Sequence, residues 1–312
     1  MRNTLNLLQV DPQFVMYLNF KSMRSTDFWK ENVSDSILAT EQTFGNLLHT
    51  FKQVTGASIS ENLDELYYSN SWVGENAIVL RGVFDRNKLD EYIKTDSTYS
   101  TRTSTDGTKL YLNENNRLYF FFKDAFTICA SNYLSKVNEM TTVRDTSKTG
   151  LSTNENMMRA IDGIIYKENI WMVSTEPTFI RGIFLNFFGN PPSADSLSAQ
   201  TDSSALSNIE DIKNMYKKIG SISFSAKMDD NLLFLIQGDC VDARAAASLR
   251  NYLAAVLALS KLKSNPASGS GSNENIVDNI KVNVYDKTVL LEMKITSENI
   301  NLFRRSLRTG QP

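Results

Sequence analysis

The chain has 312 residues, 41% of them hydrophobic and 22% charged, with 33 Lys and Arg against 35 Asp and Glu. That composition supplies a packed core and excludes wholesale disorder. A net charge of −2 with no basic stripe argues against nucleic acid as a partner. One histidine, His49, and two cysteines, Cys129 and Cys240, are too few for a disulfide framework, a cysteine-based zinc site or most histidine chemistry.

Met1 to Asp11 carries one positive charge and no apolar run of useful length, so no secretory signal is expected there. No window approaches the ~18–20 apolar residues of a membrane-spanning helix. Residues Phe14–Phe20 read as a strand, and Ser25-Thr26 opens a short helix through Val33. A second helix is expected over Glu41–Val54, closed by Thr55-Gly56 as a glycine cap. Strands follow at Leu66–Asn70 and Ala77–Val83 around Gly74-Glu75-Asn76, and Asp85 caps a helix bearing Leu89, Tyr92 and Ile93. Thr108–Leu112 and Arg117–Lys123 form a hairpin, Phe126–Ala130 a further strand, and Ser131 caps a helix with Leu134, Val137 and Met140.

The second half runs in the same order. Ile170–Ser174 is a strand, Glu176–Phe188 a helix, and Ile209–Lys218 a helix ending at Gly220. Ser221–Lys227 and Leu232–Gly238 pair across Met228-Asp229-Asp230-Asn231, and Asp242 opens a long Ala/Leu-rich helix to about Leu262. Ile280–Tyr285 and Thr288–Ile295 form a hairpin at Asp286-Lys287, and Ser297 caps the last helix. Ile78–Asp85 and Leu233–Asp242 match as a strand, a glycine and a capped helix, which points to an internal duplication. The expected architecture is α+β: residues 1–150 as a first repeat and 151–312 as a second, with mobile loops at 190–207 and 264–274. Tight polar turns favour antiparallel pairing, so each repeat is expected to hold a mainly antiparallel sheet covered on one face by helices.

Chemistry is hard to place on this pattern. His49 lies on a helix with no Ser, Asp or Cys at motif spacing, and reads as a surface residue. Gly82 and Gly238 each sit between a strand and a helix, where anions can bind, but match neither a phosphate loop nor a dinucleotide fingerprint. Asp85 and Asp242 at those helix starts repel phosphate, so capping is their expected role. Asp229-Asp230-Asn231 lacks a calcium-loop pattern. No catalytic residue, cofactor or metal is expected.

The aromatic residues stand out. Tyr119-Phe120-Phe121-Phe122 alternates along a strand, so a one-sided core would leave two rings stranded. Phe179, Ile180, Ile183, Phe184, Phe187 and Phe188 nearly encircle their helix. A helix apolar all round is buried, or it meets a protein partner or a membrane surface. These six are the candidate partner-binding residues.

Leu7-Leu8-Gln9-Val10-Asp11 before a strand, Thr55-Gly56 before Leu63-Asp64-Glu65-Leu66, and the Arg81-Gly82-Val83-Phe84-Asp85 step resemble a type of uncharacterised, duplicated bacterial α+β protein, often exported or membrane-anchored. Those proteins have a proline in the lead that is absent here, and carry no established catalytic residues. The resemblance implies a periplasmic or membrane-peripheral setting and a non-enzymatic role. The expected function is a non-catalytic binding or scaffold protein, an accessory subunit docking on a larger and membrane-associated assembly. The alternative is a carrier of an apolar ligand, lipid or pigment, between the sheet and the helix Glu176–Phe188. A hydrolase using carboxylates assembled only by the fold ranks last.

Overall fold

The computed structural model describes residues 2–33, 52, 54–144, 148–188, 215–263 and 279–301. The strands are β1 (Phe14–Asn19), β2 (Leu63–Asn70), β3 (Asn76–Gly82), β4 (Tyr99–Thr103), β5 (Lys109–Asn113), β6 (Leu118–Asp124), β7 (Thr127–Ser131), β8 (Ile170–Ser174), β9 (Ile219–Met228), β10 (Leu232–Cys240), β11 (Ile280–Tyr285) and β12 (Thr288–Ile295). They form one 12-stranded sheet in the order β11-β12-β10-β9-β8-β1-β2-β3-β7-β6-β5-β4, antiparallel throughout. The helices are α1 (Arg2–Leu5), α2 (Phe20–Arg24), α3 (Asp27–Asn32), α4 (Arg86–Thr95), α5 (Leu134–Thr142), α6 (Glu155–Gly163), α7 (Pro177–Phe188) and α8 (Ala243–Lys263).

The expected pair of sheets is therefore a single sheet. Its seam is β1 against β8, with Val15 opposite Val173 and Tyr17 opposite Trp171. Outward from that seam the order is β1-β2-β3-β7-β6 on one side and β8-β9-β10-β12-β11 on the other. Each side ends in a hairpin whose later strand lies inward. The first half adds β5 and β4 beyond β6.

Helices cover both faces in the middle of the sheet, which corrects the one-sided expectation. Period-two alternation sends Val15, Tyr17, Tyr67, Val79, Cys129 and Phe121 to a front face, under Leu5 and Leu8 of the lead, Val137 and Met140 of α5, and Met157 and Ile161 of α6. The intervening residues Leu18, Leu66, Ile78, Ile128 and Phe120 face the back, against Phe20, Met23, Phe28 and Leu89. Neighbours Phe120 and Phe121 thus enter opposite cores, which is why a run of four aromatics is tolerated in one strand. A third cluster fills the back of the second half, where Ile180 of α7 and Ala245, Ala246, Leu249 and Leu253 of α8 meet Ile222, Phe224 and Val289.

Most polar punctuation acts as expected. Asp85 Oδ1 accepts from Lys88 N at 3.0 Å and Asp242 Oδ1 from Ala245 N at 2.7 Å, each satisfying a free helix-start amide. Gly56 has φ of 73° and its amide donates to Lys52 O, closing the helix that precedes it. The body of Glu41–Val54, with His49, and most of Ile209–Lys218 lie outside the described residues. Three caps differ from expectation. Ser131 ends β7 and accepts from Tyr133 N, so α5 starts at Leu134. Ser297 bonds instead to Glu31 and Asn32 of α3, while Thr296 and Asn299 exchange the capping bonds. Gly220 sits inside β9. The sequence pattern marks no element at β4 or α6, the latter beginning at the end of the polar stretch Thr141–Asn156.

Gly150, at the junction of the halves, has φ of 54°, and a Cβ there would fall on the carbonyl oxygens of Asn6 and Leu8. Gly107 also has positive φ (88°), but a Cβ there meets open space. Gly107→Ala is therefore expected to cost about 1 kcal/mol and Gly150→Ala distinctly more, on the order of 3 kcal/mol. Chemical denaturation of the two variants side by side checks the ranking; equal losses would mean the lead relaxes away from Gly150.

Candidate functional site

The β2–β3 turn carries an exposed tryptophan beside an exposed valine. Trp72 is 55% and Val73 72% exposed. The turn itself is held still. Gly74 has φ of 77° and its amide donates to Ser71 O, while Ser71 N donates to Glu75 O. Three outside side chains then grip its carbonyls: Tyr133 Oη donates to Val73 O at 2.9 Å, Asn132 Nδ2 to Gly74 O at 2.8 Å, and Gln9 Nε2 to Glu75 O at 3.0 Å. Asn132 Oδ1 accepts from Asn76 N, and Gln9 Oε1 accepts from the buried Ser69 hydroxyl. Tyr133, Leu134 and Val10, all exposed, belong to those gripping segments. A small apolar tip is thereby presented at one end of the sheet without freedom to fold back. The sequence showed the turn at Gly74, but the clamp joins residues about sixty positions apart and left no local signal.

The expected partner-binding helix lies elsewhere, on the back of the second half. Pro177 opens α7, and Ile180 is fully buried, so it faces the core and not a partner. Phe179 stacks on Phe14 with centroids 5.1 Å apart, and Ile183 is half-buried. The side chains of Phe184, Phe187 and Phe188 lie outside the described residues. Beneath α7 runs an apolar crevice between α8 and the strands, lined by Ile180, Ile222, Ile236, Leu249, Leu253 and Val289, among other apolar residues. The crevice has room for about 30 Å³, enough for one or two waters and less than any lipid chain needs.

A wider groove of about 510 Å³ opens beside α2 and the ends of β2 and β3, lined by polar side chains and by the exposed Val83 and Phe126. It holds two carboxylates, each already engaged. Asp64 is bound by Arg24 at 2.7 Å, and Glu65 accepts from Tyr17 Oη at 2.9 Å and Arg81 at 3.2 Å. Burial above all, with Tyr67 and Glu65 beside it, holds the Tyr17 phenol far above its usual range. Asp64 and Glu65 thus belong to a structural ion-pair network, and Lys21 and Ser22 also line the groove. No group of three metal-ligating side chains occurs among the described residues. None of the described helices is long and apolar enough to cross a membrane.

No protein-family model and no curated protein matches this chain. Among solved structures it is similar to three crystal forms of TP0453. Crystal form I gives a TM-score of 0.51 at 11% identity, over 97% of this chain and 96% of that one. Form III gives 0.53 at 10% identity over 97% of each, and form IV 0.51 at 8% over 96% and 95%. At such identity the likeness is one of fold, and it spans the whole sheet.

The two cysteines are free and buried. Burial pushes the Cys129 thiol up to about 12 and the Cys240 thiol up to about 11. Both stay protonated far above neutral pH, and the thiolate is the reactive form. Neither should be alkylated by iodoacetamide at pH 8 in the folded protein, and both should react in urea. Prompt labelling of Cys129 in the native state would show that β7 opens.

Proposed function

We propose that the protein is a non-catalytic binding protein that docks on a larger protein assembly through the clamped tip of Trp72, Val73, Tyr133, Leu134 and Val10. The supporting observation is the combination of exposure and rigidity. An exposed Trp beside an exposed Val costs solvation, while three long-range side-chain bonds fix the turn that bears them. A preorganised aromatic anchor loses little conformational freedom on binding, which favours affinity. Asp11 and Glu75 lie in the same segments, so the matching socket is apolar with a neutral or basic rim, and an anionic membrane surface is disfavoured. The resemblance to exported bacterial proteins extends this reading to the cell envelope. The shared strand order of the halves supports an origin by duplication.

A second reading, a carrier of an apolar ligand, is favoured by the crevice under α7, whose lining is apolar throughout. It requires α7 to lift, because the closed crevice is too small for a chain. Native mass spectrometry of protein from the source cell decides it: a reproducible lipid-mass adduct supports the carrier, and a clean spectrum removes it.

For docking, Trp72→Ser with Val73→Ser is expected to weaken partner capture at least tenfold, roughly 1.4 kcal/mol or more, while the unfolding transition stays cooperative. Capture equal to that of the unaltered protein would sink this site.

A further inference from the structure

The two edges of the sheet are built differently. β4 is a short edge of Tyr99, Ser100, Thr101, Arg102 and Thr103, with the last three exposed and Arg102 near Glu114. A polar, charged, short strand is how a sheet protects an edge from pairing. β11 reads Ile-Lys-Val-Asn-Val-Tyr, with Val284 39% and Tyr285 61% exposed and no proline. In the strand order of the halves β11 stands where β6 stands. β6 has β7 on its inner side and β5 on its outer side, whereas β11 has β12 on its inner side and, among the described residues, no strand beyond it.

We propose that the outer edge of β11 is a self-association site, where a second copy of this chain adds its own β11 antiparallel and continues the sheet across a two-fold axis. Hydrogen-bond phase fixes which groups are offered. Cys240 N donates to Lys287 O, so the odd-numbered residues of β12 bond to β10 and the even-numbered ones face β11. Their partners across the hairpin are Lys281, Asn283 and Tyr285. The amides and carbonyls of Ile280, Val282 and Val284 therefore point outward.

Those three residues match one another in a single self-complementary register. Val282 meets its own copy, Ile280 meets Val284 of the other chain, and the same three side chains all lie on the back face, where Val282 already packs on the core. Lys281 then faces Asn283 of the other copy instead of a second lysine, so no like charges meet. An antiparallel strand pair of this kind is isologous and closes after two chains. Joining β11 to β4 would be open-ended, and Arg102 at that edge opposes it. One strand pair is a small interface, so the dimer is weak and dissociates on dilution. This inference is independent of the docking tip, which is built from β2, β3 and α5 in the first half.

Sedimentation velocity over a concentration series tests it on the full chain. The weight-average mass should rise from 35.2 kDa towards twice that value. Val282→Pro removes an outward amide and no bond to β12, and should hold the mass at 35.2 kDa at every concentration. Val284→Glu, which places a carboxylate against Ile280 of the other copy, should do the same and stands in if the proline variant does not fold. Thr101→Lys on β4 should leave association intact. A monomer at all concentrations would overturn the proposal, and slow hydrogen exchange at Val282 in that monomer would assign the edge to another segment of the same chain. Equal association of both β11 variants and the unaltered protein would overturn it as well.

Discussion

The seam between β1 and β8 is the constraint on which the rest depends. Tyr17 lies 5.5 Å from Trp171 and 4.7 Å from Tyr67, three large rings side by side on the front face, and all three are buried. Rings of this size remove the most apolar area from water per residue, and tilted contacts add to that. Once β1 pairs with β8, two half-sheets become one, and the helices of the lead and of the junction must share a single front core. Gly150 and the lead carbonyls of Asn6 and Leu8 come so close for this reason.

A shared sheet also explains how the molecule divides its surface. The two seam strands β1 and β8 read as nearly continuous apolar runs, whereas β2 and β9 beside them carry polar residues. Chemistry is correspondingly scarce at the seam. The carboxylates near the seam, Asp64 and Glu65, are spent on Arg24, Arg81 and Tyr17, and the thiols are buried in or beside strands. The features to which we assign interaction lie at the ends and the edge: the clamped β2–β3 tip, the crevice beneath α7, and the outer side of β11.

Local signals carried the strands and turns well where chemistry was explicit. Ile170–Ser174, Ile280–Tyr285 and Thr288–Ile295 match their observed bounds, because alternation bounded by turn residues is a short-range property. Asp85 and Asp242 cap as expected for the same reason. β4 was missed because Tyr-Ser-Thr-Arg-Thr at an edge buries little and shows no apolar alternation. Serine at 297 fits a cap locally, yet its hydroxyl is claimed by Glu31 and Asn32 from the other end of the chain. Helix α7 is apolar on every side, so periodicity cannot tell that Ile180 faces inward and not towards a partner.

The sequence by itself determined the α+β class and the antiparallel habit, since each rests on residues within one turn or one hairpin of each other. Only the tertiary structure decided that the halves share one sheet, that both its faces are covered, and which apolar residues stay outside. Those outcomes depend on pairings such as Tyr17 with Trp171 and Gln9 with Glu75, between segments tens to more than a hundred residues apart. Alternation along a strand states that two faces differ, and says nothing of what comes to lie against either.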